Sequence, residues 1–293
     1  MPPTVGSDTA RRTFRALEPI HGMVYFSPYG PTSYAAIGIT HPRMGYFASR
    51  SAALGAVPAE VVVATFFNFS PALIHRALPA AWDLASPADV LAARRNAVDQ
   101  SLRQAWGENV DGAEVREAAD LARRATERAT QRPQGRPLFA AHAALEWPDE
   151  PHLVLWHAQT LLREFRGDGH VALLLTAGLD GLGALITHSA TGVIPAEALR
   201  TSRGWSEQEW DAGVERVRDQ GWLAEDSTLN EEGRRRRRSI EDRTDELSVF
   251  PYEAIGEDGC ARLRELAGPL SAAIVNGDIN YPAALATRYA EAD

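Results

Sequence analysis

Apolar residues recur at spacings of three and four along nearly the whole chain, the signature of helices that each bury one face. The first such run covers residues 8–24, with Asp8 as N-cap and Phe14, Leu17, Ile20 and Val24 facing inward; Pro19 lies inside it, so a kink is expected there. A loop carrying Tyr25, Phe26 and Tyr29 leads to short helices around 34–39 and 44–50. A helix opened by Pro58 then runs to Phe67, and another covers 71–83. Ser86-Pro87 starts a long amphipathic helix through Leu91, Val98, Leu102 and Trp106, and 112–130 forms a second. Both read as scaffold, with their charges paired on solvated faces. The proline- and arginine-rich stretch at 131–137 is the clearest linker.

Beyond that linker, polar side chains of unlike chemistry crowd into an apolar helix between Trp147 and His170. Asp149 reads as its N-cap, Pro151 as a first-turn residue, Gly167 as its stop and Asp168 as N-cap of the helix that follows. On such a helix His157, Thr160 and Glu164 fall at i, i+3 and i+7. An imidazole, a hydroxyl and a carboxylate then share one face, with Arg163 and Arg166 on either side of the carboxylate. That face is either the wall of a pocket or a polar helix end clamped by internal ion pairs. Glu18 and His21 have the Glu-x-x-His spacing used by carboxylate-bridged di-metal bundles. No second pair of that kind occurs, so a metal-free carboxylate-imidazole pair or a satisfied core histidine is expected instead.

Composition narrows the picture. A chain of 293 residues, 45% hydrophobic, is long enough for one large or two ordinary domains. The expected division is a helical domain over 1–137, a pocket-lining connecting segment over 138–168, a third unit over 169–250 and a C-terminal helical arm over 251–293. The formal charge of -9 gives no basic footprint for nucleic acid or an anionic membrane. All 30 cationic residues are arginine, which excludes lysine Schiff-base chemistry and a P-loop lysine. The single cysteine, Cys260, excludes a disulfide framework and any multi-cysteine metal site. With no basic-then-apolar leader and no apolar run near the ~20 residues that span a bilayer, a cytoplasmic setting is expected.

From Gly169 a long apolar helix is expected to His188, then a loop over 191–195, a short helix over 196–201 and a helix over 207–220 opened by a Ser206/Glu209 capping box. A small hairpin follows over 222–229, and Asn230 caps a further helix. The run from Val217 to Gly233 resembles the MarR-like winged-helix group, and the resemblance extends over about 169–248. It implies a winged helix-turn-helix with a two-stranded wing and with helix 207–220 in the major groove. The chain as a whole resembles a family of actinobacterial proteins that join a helical N-terminal part to such a module. That likeness rests on Glu18-Pro-Ile-His21, Gly45-Tyr-Phe-Ala-Ser-Arg50 and the stretch from Trp156-His157 through Gly167-Asp-Gly-His170, and it implies an architecture without a reaction. The expected fold is therefore mainly α, a helical N-terminal domain packed on a C-terminal winged helix-turn-helix.

Charge argues against DNA on that module. Glu207, Glu209, Asp211, Glu215 and Asp219 oppose only Arg216 and Arg218 on the would-be reading helix, and phosphates repel such a surface. The five arginines at 234–238 point all around their helix, and Arg237 and Arg238 meet Glu241 and Asp242 at i+4. A paired scaffold or subunit-interface helix is expected.

The functional expectation is a small-molecule-binding protein, an enzyme of specialised metabolism being one form of it, on a winged-helix scaffold that no longer binds DNA. Its catalytic candidates are His157, Glu164, Glu18 and His21. Its ligand contacts would be Tyr25, Arg50, Asn68, His142, Trp156, Thr160, Arg166 and His170, and no metal ligands are assigned. The rivals are a ligand-responsive MarR-like transcription regulator and a metal or haem protein using His21, His142, His157 or His170. Cofactor identity stays open, no membrane or nucleic-acid partner is expected, and a homodimer is one option for the assembly.

Overall fold

The apolar stripes fold into sixteen α-helices among the residues that this computed structural model describes, 5–279 and 281–282. In order they are α1 (Ser7–Gly22), α2 (Tyr29–Ala35), α3 (Pro42–Ser51), α4 (Ala59–Phe66), α5 (Pro71–His75), α6 (Ala81–Leu84), α7 (Pro87–Trp106) and α8 (Ala113–Ala129). The second half has α9 (Pro137–Ala143), α10 (Pro151–Thr176), α11 (Gly181–Ser189), α12 (Ala196–Arg203), α13 (Glu207–Asp219), α14 (Glu231–Leu247), α15 (Val249–Tyr252) and α16 (Gly256–Asn276). No single helix among the described residues is long and apolar enough to cross a membrane.

α10 is the axis of the assembly. Its first half is buried in the largest apolar cluster, with Leu17 and Ile20 of α1, Val98 and Leu102 of α7, Ala118 and Ala122 of α8, and Leu263 of α16. Its last turns, through Leu173 and Leu174, enter a separate cluster with Leu182, Trp210, Trp222 and Ile240. One rod therefore belongs to both cores. The chain between 34 and 93 forms a further cluster around Phe47, Val62, Ile74 and Val90, against the start of α7.

Several local expectations are corrected. α10 does not stop at Gly167 but continues unbroken to Thr176, with Glu150 rather than Asp149 as N-cap. Asp168 therefore sits in mid-helix and caps a different element: its Oδ2 accepts from the Phe139 backbone N–H at 2.9 Å, filling an orphan donor in the first turn of α9. The real break lies at Ala177–Asp180, where Gly178 takes φ +75° and Asp180 caps α11 by accepting from Gly183 N–H at 2.7 Å. α1 is preceded by Gly6, whose N–H donates to Glu257, while Asp8 in the first turn pairs with Arg11 and Arg12.

The two-stranded wing is not formed. Between Gly221, which ends α13 with φ +77°, and Asn230, which caps α14, only eight residues remain. The turn at 225–227 consumes three of them, so a single antiparallel bridge, Leu223 to Leu229, is all that the arms make. Near the C-terminal end of the described residues, Tyr281 packs edge-on against Phe26 with ring centroids 5.5 Å apart. The last part of the helical arm expected over 251–293, from 283 on, lies outside the described residues.

The helix-turn-helix part meets the N-terminal helices where α14 packs on α1 and at a corner, Phe67 to Ser70. Phe67 adopts φ +63°, a strained value for a bulky side chain. Three contacts hold the corner. Trp205 Nε1 donates to Asn68 O at 3.0 Å, Ser70 N–H donates to Arg203 O at 2.9 Å, and Gly181 lies so close that an added Cβ would fall 1.9 Å from Phe67 O. Gly181→Ala is thus expected to destabilise the fold by about 1–3 kcal/mol or more, since backbone rather than a flexible side chain must move. A urea midpoint unchanged from the parent would show that the two parts are not packed this way.

Candidate functional site

The corner, α10 and the helix-turn-helix enclose a cavity of about 360 Å³. Its walls come from α1 (Glu18), α3 (Tyr46, Arg50), the Phe67–Phe69 corner, α10 (Arg163 to Leu174), α11 (His188), α12 (Arg203) and α14 (Arg237, Glu241). Of the residues singled out in the sequence, Glu18, Arg50, Asn68, Glu164, Arg166 and His170 meet here. These positions come from the three stretches that carried the family resemblance and from the corner.

Glu164 anchors the site. Only 2% exposed, it accepts from Arg163 Nη1 at 2.7 Å and faces Arg50 Nη2 at 3.7 Å. Burial alone would raise its carboxyl, but Arg163 and then Arg50 outweigh that and bring it down to about 2. Arg50 stacks on the Phe66 ring at 4.2 Å and donates to Tyr46 Oη at 3.3 Å; Arg203 covers Phe69 at 4.8 Å. Burial would push the Tyr46 phenol up, yet the guanidiniums of Arg50, Arg203 and Arg163 overcome it and hold the phenol below its usual value. The site therefore attracts negative charge. Arg203 has no carboxylate partner among the described residues, and its Nε, like that of Arg50, is buried without a hydrogen bond.

Five arginines line this space against four carboxylates, and two of those are poor anions. Burial raises Glu18 to about 7, only partly offset by Arg163, and its Oε2 has no partner. Burial likewise raises Asp168 to about 6, despite the Phe139 N–H it accepts. Arg166, in contrast, is neutralised by Asp245 at 2.7 Å on α14, the internal clamp that was the alternative to a pocket wall. His170 bonds Thr244 through Nδ1 at 2.9 Å, and burial pulls it down to about 4.

The other candidates lie elsewhere. His21 does not pair with Glu18; it links a chain of hydrogen bonds. Thr160 Oγ1 donates to Trp156 O at 3.0 Å, so it accepts from His21 Nδ1 at 3.0 Å. His21 Nε2 then accepts from Tyr25 Oη at 3.1 Å, and Tyr25 Oη accepts from Arg94 Nη2 at 3.3 Å. Both ring nitrogens of His21 and the hydroxyls of Thr160 and Tyr25 are engaged on that path, which makes His21, Thr160 and Tyr25 a structural spine. His142, Trp156 and His157 border a separate cavity of about 260 Å³ toward the start of α10. The proposed catalytic stripe is therefore divided: His157 and Glu164 serve different spaces, about 10 Å apart along the helix axis at 1.5 Å per residue. Among the described residues no three His, Cys, Asp or Glu side chains come together as a metal site.

Sequence reading missed Tyr46, Arg94 and Arg203. Arg94 had been assigned to a solvated face, but it lies 1% exposed on the inward row of α7 with Val90, Ala97 and Ser101. That row was the available signal. Arg203 gives none, because its place depends on how α12 meets the corner.

Burial lowers four histidines, His21 well below its usual value, His142 to about 3, and His157 and His170 to about 4. The unfolded chain binds their protons near pH 6.5 and the folded chain does not, so acidification below that value favours unfolding. Glu18 and Asp168 act in the opposite sense but are two groups against four. The urea midpoint is expected to fall from pH 7 to pH 5; a flat or rising midpoint would contradict the neutral, buried imidazoles.

Compared with known proteins, residues 10–280 match the model of a helix-turn-helix family. No curated protein and no solved structure matches.

Proposed function

We propose, from the premise that the chain belongs to this helix-turn-helix family, that it is a small-molecule-binding protein whose ligand carries an anionic group, a carboxylate, sulfate or phosphate. In this reading α11–α14 form a MarR-like winged helix-turn-helix with a reduced wing, of the actinobacterial kind named above, and serve as one wall of the arginine cavity. The single observation that carries the proposal is that Arg50, Arg163 and Arg203 line one cavity together with Tyr46, which Arg50 hydrogen-bonds, and that Arg203 has no carboxylate partner among the described residues. Planar guanidinium forks match carboxylate and phosphate oxygens in pairs. Glu18 is the group that exchanges a proton against the bound anion.

Sulfate is a suitable probe because it does not titrate near neutrality. Calorimetry is expected to show binding that Arg203→Gln weakens about tenfold or more, a loss of ~1.4 kcal/mol. Removing Arg203 strands no carboxylate, so the fold is kept. Sulfate should bind more weakly at pH 8 than at pH 6, since Glu18 is charged at the higher pH, and Glu18→Gln should reduce that difference. Equal affinity in the parent and Arg203→Gln would defeat the proposal.

The family also contains the alternative of DNA binding. α13 argues for the scaffold role: Glu207, Asp211, Glu215 and Asp219 form an exposed acidic row, Arg216 is held by Asp180 at 2.7 Å, and Arg218 by Glu215. Within the arginine run, Arg235 and Arg236 pair with Glu232 and Arg237 with Glu241, whereas the expected Arg238–Asp242 pair is not formed. A random-sequence duplex at about 150 mM salt is expected to show no mobility shift. A shift under those conditions that is lost when Arg238 and Arg243 are replaced by Gln would favour the regulator instead.

A further inference from the structure

The cavity at the start of α10 is built differently from the arginine cavity. It holds about 260 Å³ between α7 and the turn joining α9 to α10, walled by Leu91, Leu145, Pro148 and Leu153, with Arg95 and Glu146 also on its walls. Four polar side chains enter this apolar surround: Arg94, His142, Trp156 and His157. Each keeps one buried nitrogen without a hydrogen bond, namely Arg94 Nε, His142 Nε2, Trp156 Nε1 and His157 Nε2. Four orphaned nitrogens around one space are unusual, because buried polar atoms are nearly always paired.

Arg94 shows what is missing. Its Nη1 donates to Ser49 O at 2.9 Å and its Nη2 to Tyr25 Oη at 3.3 Å, and its guanidinium lies 5.5 Å from the Tyr25 ring centroid and 5.4 Å from that of Trp156. No carboxylate forms an ion pair with it among the described residues. A guanidinium does not shed its proton, and ring faces repay only part of the cost of burying it. Neutral imidazoles cannot supply the counter-charge. Arg94 Nε and Trp156 Nε1 are donors and suit an anion, a neutral imidazole Nε2 can donate or accept, and much of the remaining wall is hydrocarbon.

We propose that this cavity is a second binding site, for a small monocarboxylic acid with an apolar, single-ring body. Its carboxylate accepts from Arg94 Nε and Trp156 Nε1, and its ring lies against Leu91, Leu145 and Leu153. The volume falls below the roughly 300–1,000 Å³ of sites for drug-sized ligands, which fits a one-ring acid better than a nucleotide or a large cofactor. The site is distinct from the arginine cavity and stands whether or not sulfate binds there.

The probe is 4-fluorobenzoate, titrated into the full chain and followed by fluorine NMR. Saturable binding is expected, abolished by Arg94→Met and weakened about tenfold or more by Ala92→Phe, whose ring enters the cavity from an exposed position on its wall. Arg203→Gln should leave it unchanged. Should Arg94→Met fail to fold, Ala92→Phe carries the test, since its exposed backbone position leaves the core intact. Absence of saturation at about 10 mM, indifference to Ala92→Phe, or loss on Arg203→Gln would each overturn the proposal.

Discussion

Glu164 is a carboxylate almost sealed from water, and an ion in that position persists only if its counter-charges are fixed in place. Arg163 is its neighbour on α10, but Arg50 comes from α3, so the pair of contacts ties two elements far apart in the chain. Once Arg50 is held there, Tyr46 one turn earlier is placed as well, and Arg203 of the helix-turn-helix part lines the same cavity against the Phe69 ring. The corner at Phe67 then closes the remaining side. A buried charge thus sets the relative position of α3, α10 and α12, and the cavity is the space these constraints leave between them.

The length of α10 follows from the same logic. Had it stopped at Gly167, the helix-turn-helix part would hang from a hinge, and the arginine cavity would have no rigid wall. Continuing through Gly167, Asp168 and Gly169 keeps Glu164 and His170 on one rod with Leu173 and Leu174, which insert into the second core. Asp168 replaces the lost cap by closing α9, and Arg136 lies against the Gly169 backbone where a Cβ would clash. Glycine at 169 therefore serves close approach, and Gly167 simply continues the helix, although the same residue type reads as a stop signal in sequence.

That ambiguity explains how much could be read beforehand. Helix positions were legible because burial imposes a 3.6-residue period, and the helix-turn-helix order was legible because the capping residues Ser206 and Asn230 mark element starts. Half of the named site residues fall on the arginine cavity, since an apolar helix that carries Glu164 and Arg166 must compensate them somewhere. The grouping itself was not legible. His157 and Glu164 share a face of α10, yet a face seven residues long passes more than one neighbour, and the spine of Arg94, Tyr25, His21 and Thr160 fills the space between. The wing failed for a shorter reason: period-two patterning over eight residues cannot show that a turn and two helix caps have already used most of them.

The same geometry bears on what the helix-turn-helix can do. A reading helix needs cations on its outer face, and α13 has none in surplus: its arginines are engaged by Asp180 and Glu215, and the exposed row beside them is acidic. α12 ends at Arg203, whose carbonyl accepts from Ser70 N–H at the corner while its side chain lines the cavity, so the C-terminal end of this otherwise largely exposed helix is engaged there. Moving it toward DNA would withdraw a guanidinium from Tyr46 and open the arginine cavity. Under the proposed function, occupation of that cavity by an anion opposes such a movement, because the ligand binds the arrangement in which Arg203 is in place. In that reading ligand and nucleic acid compete for one helix, because both need Arg203 and they need it in different places.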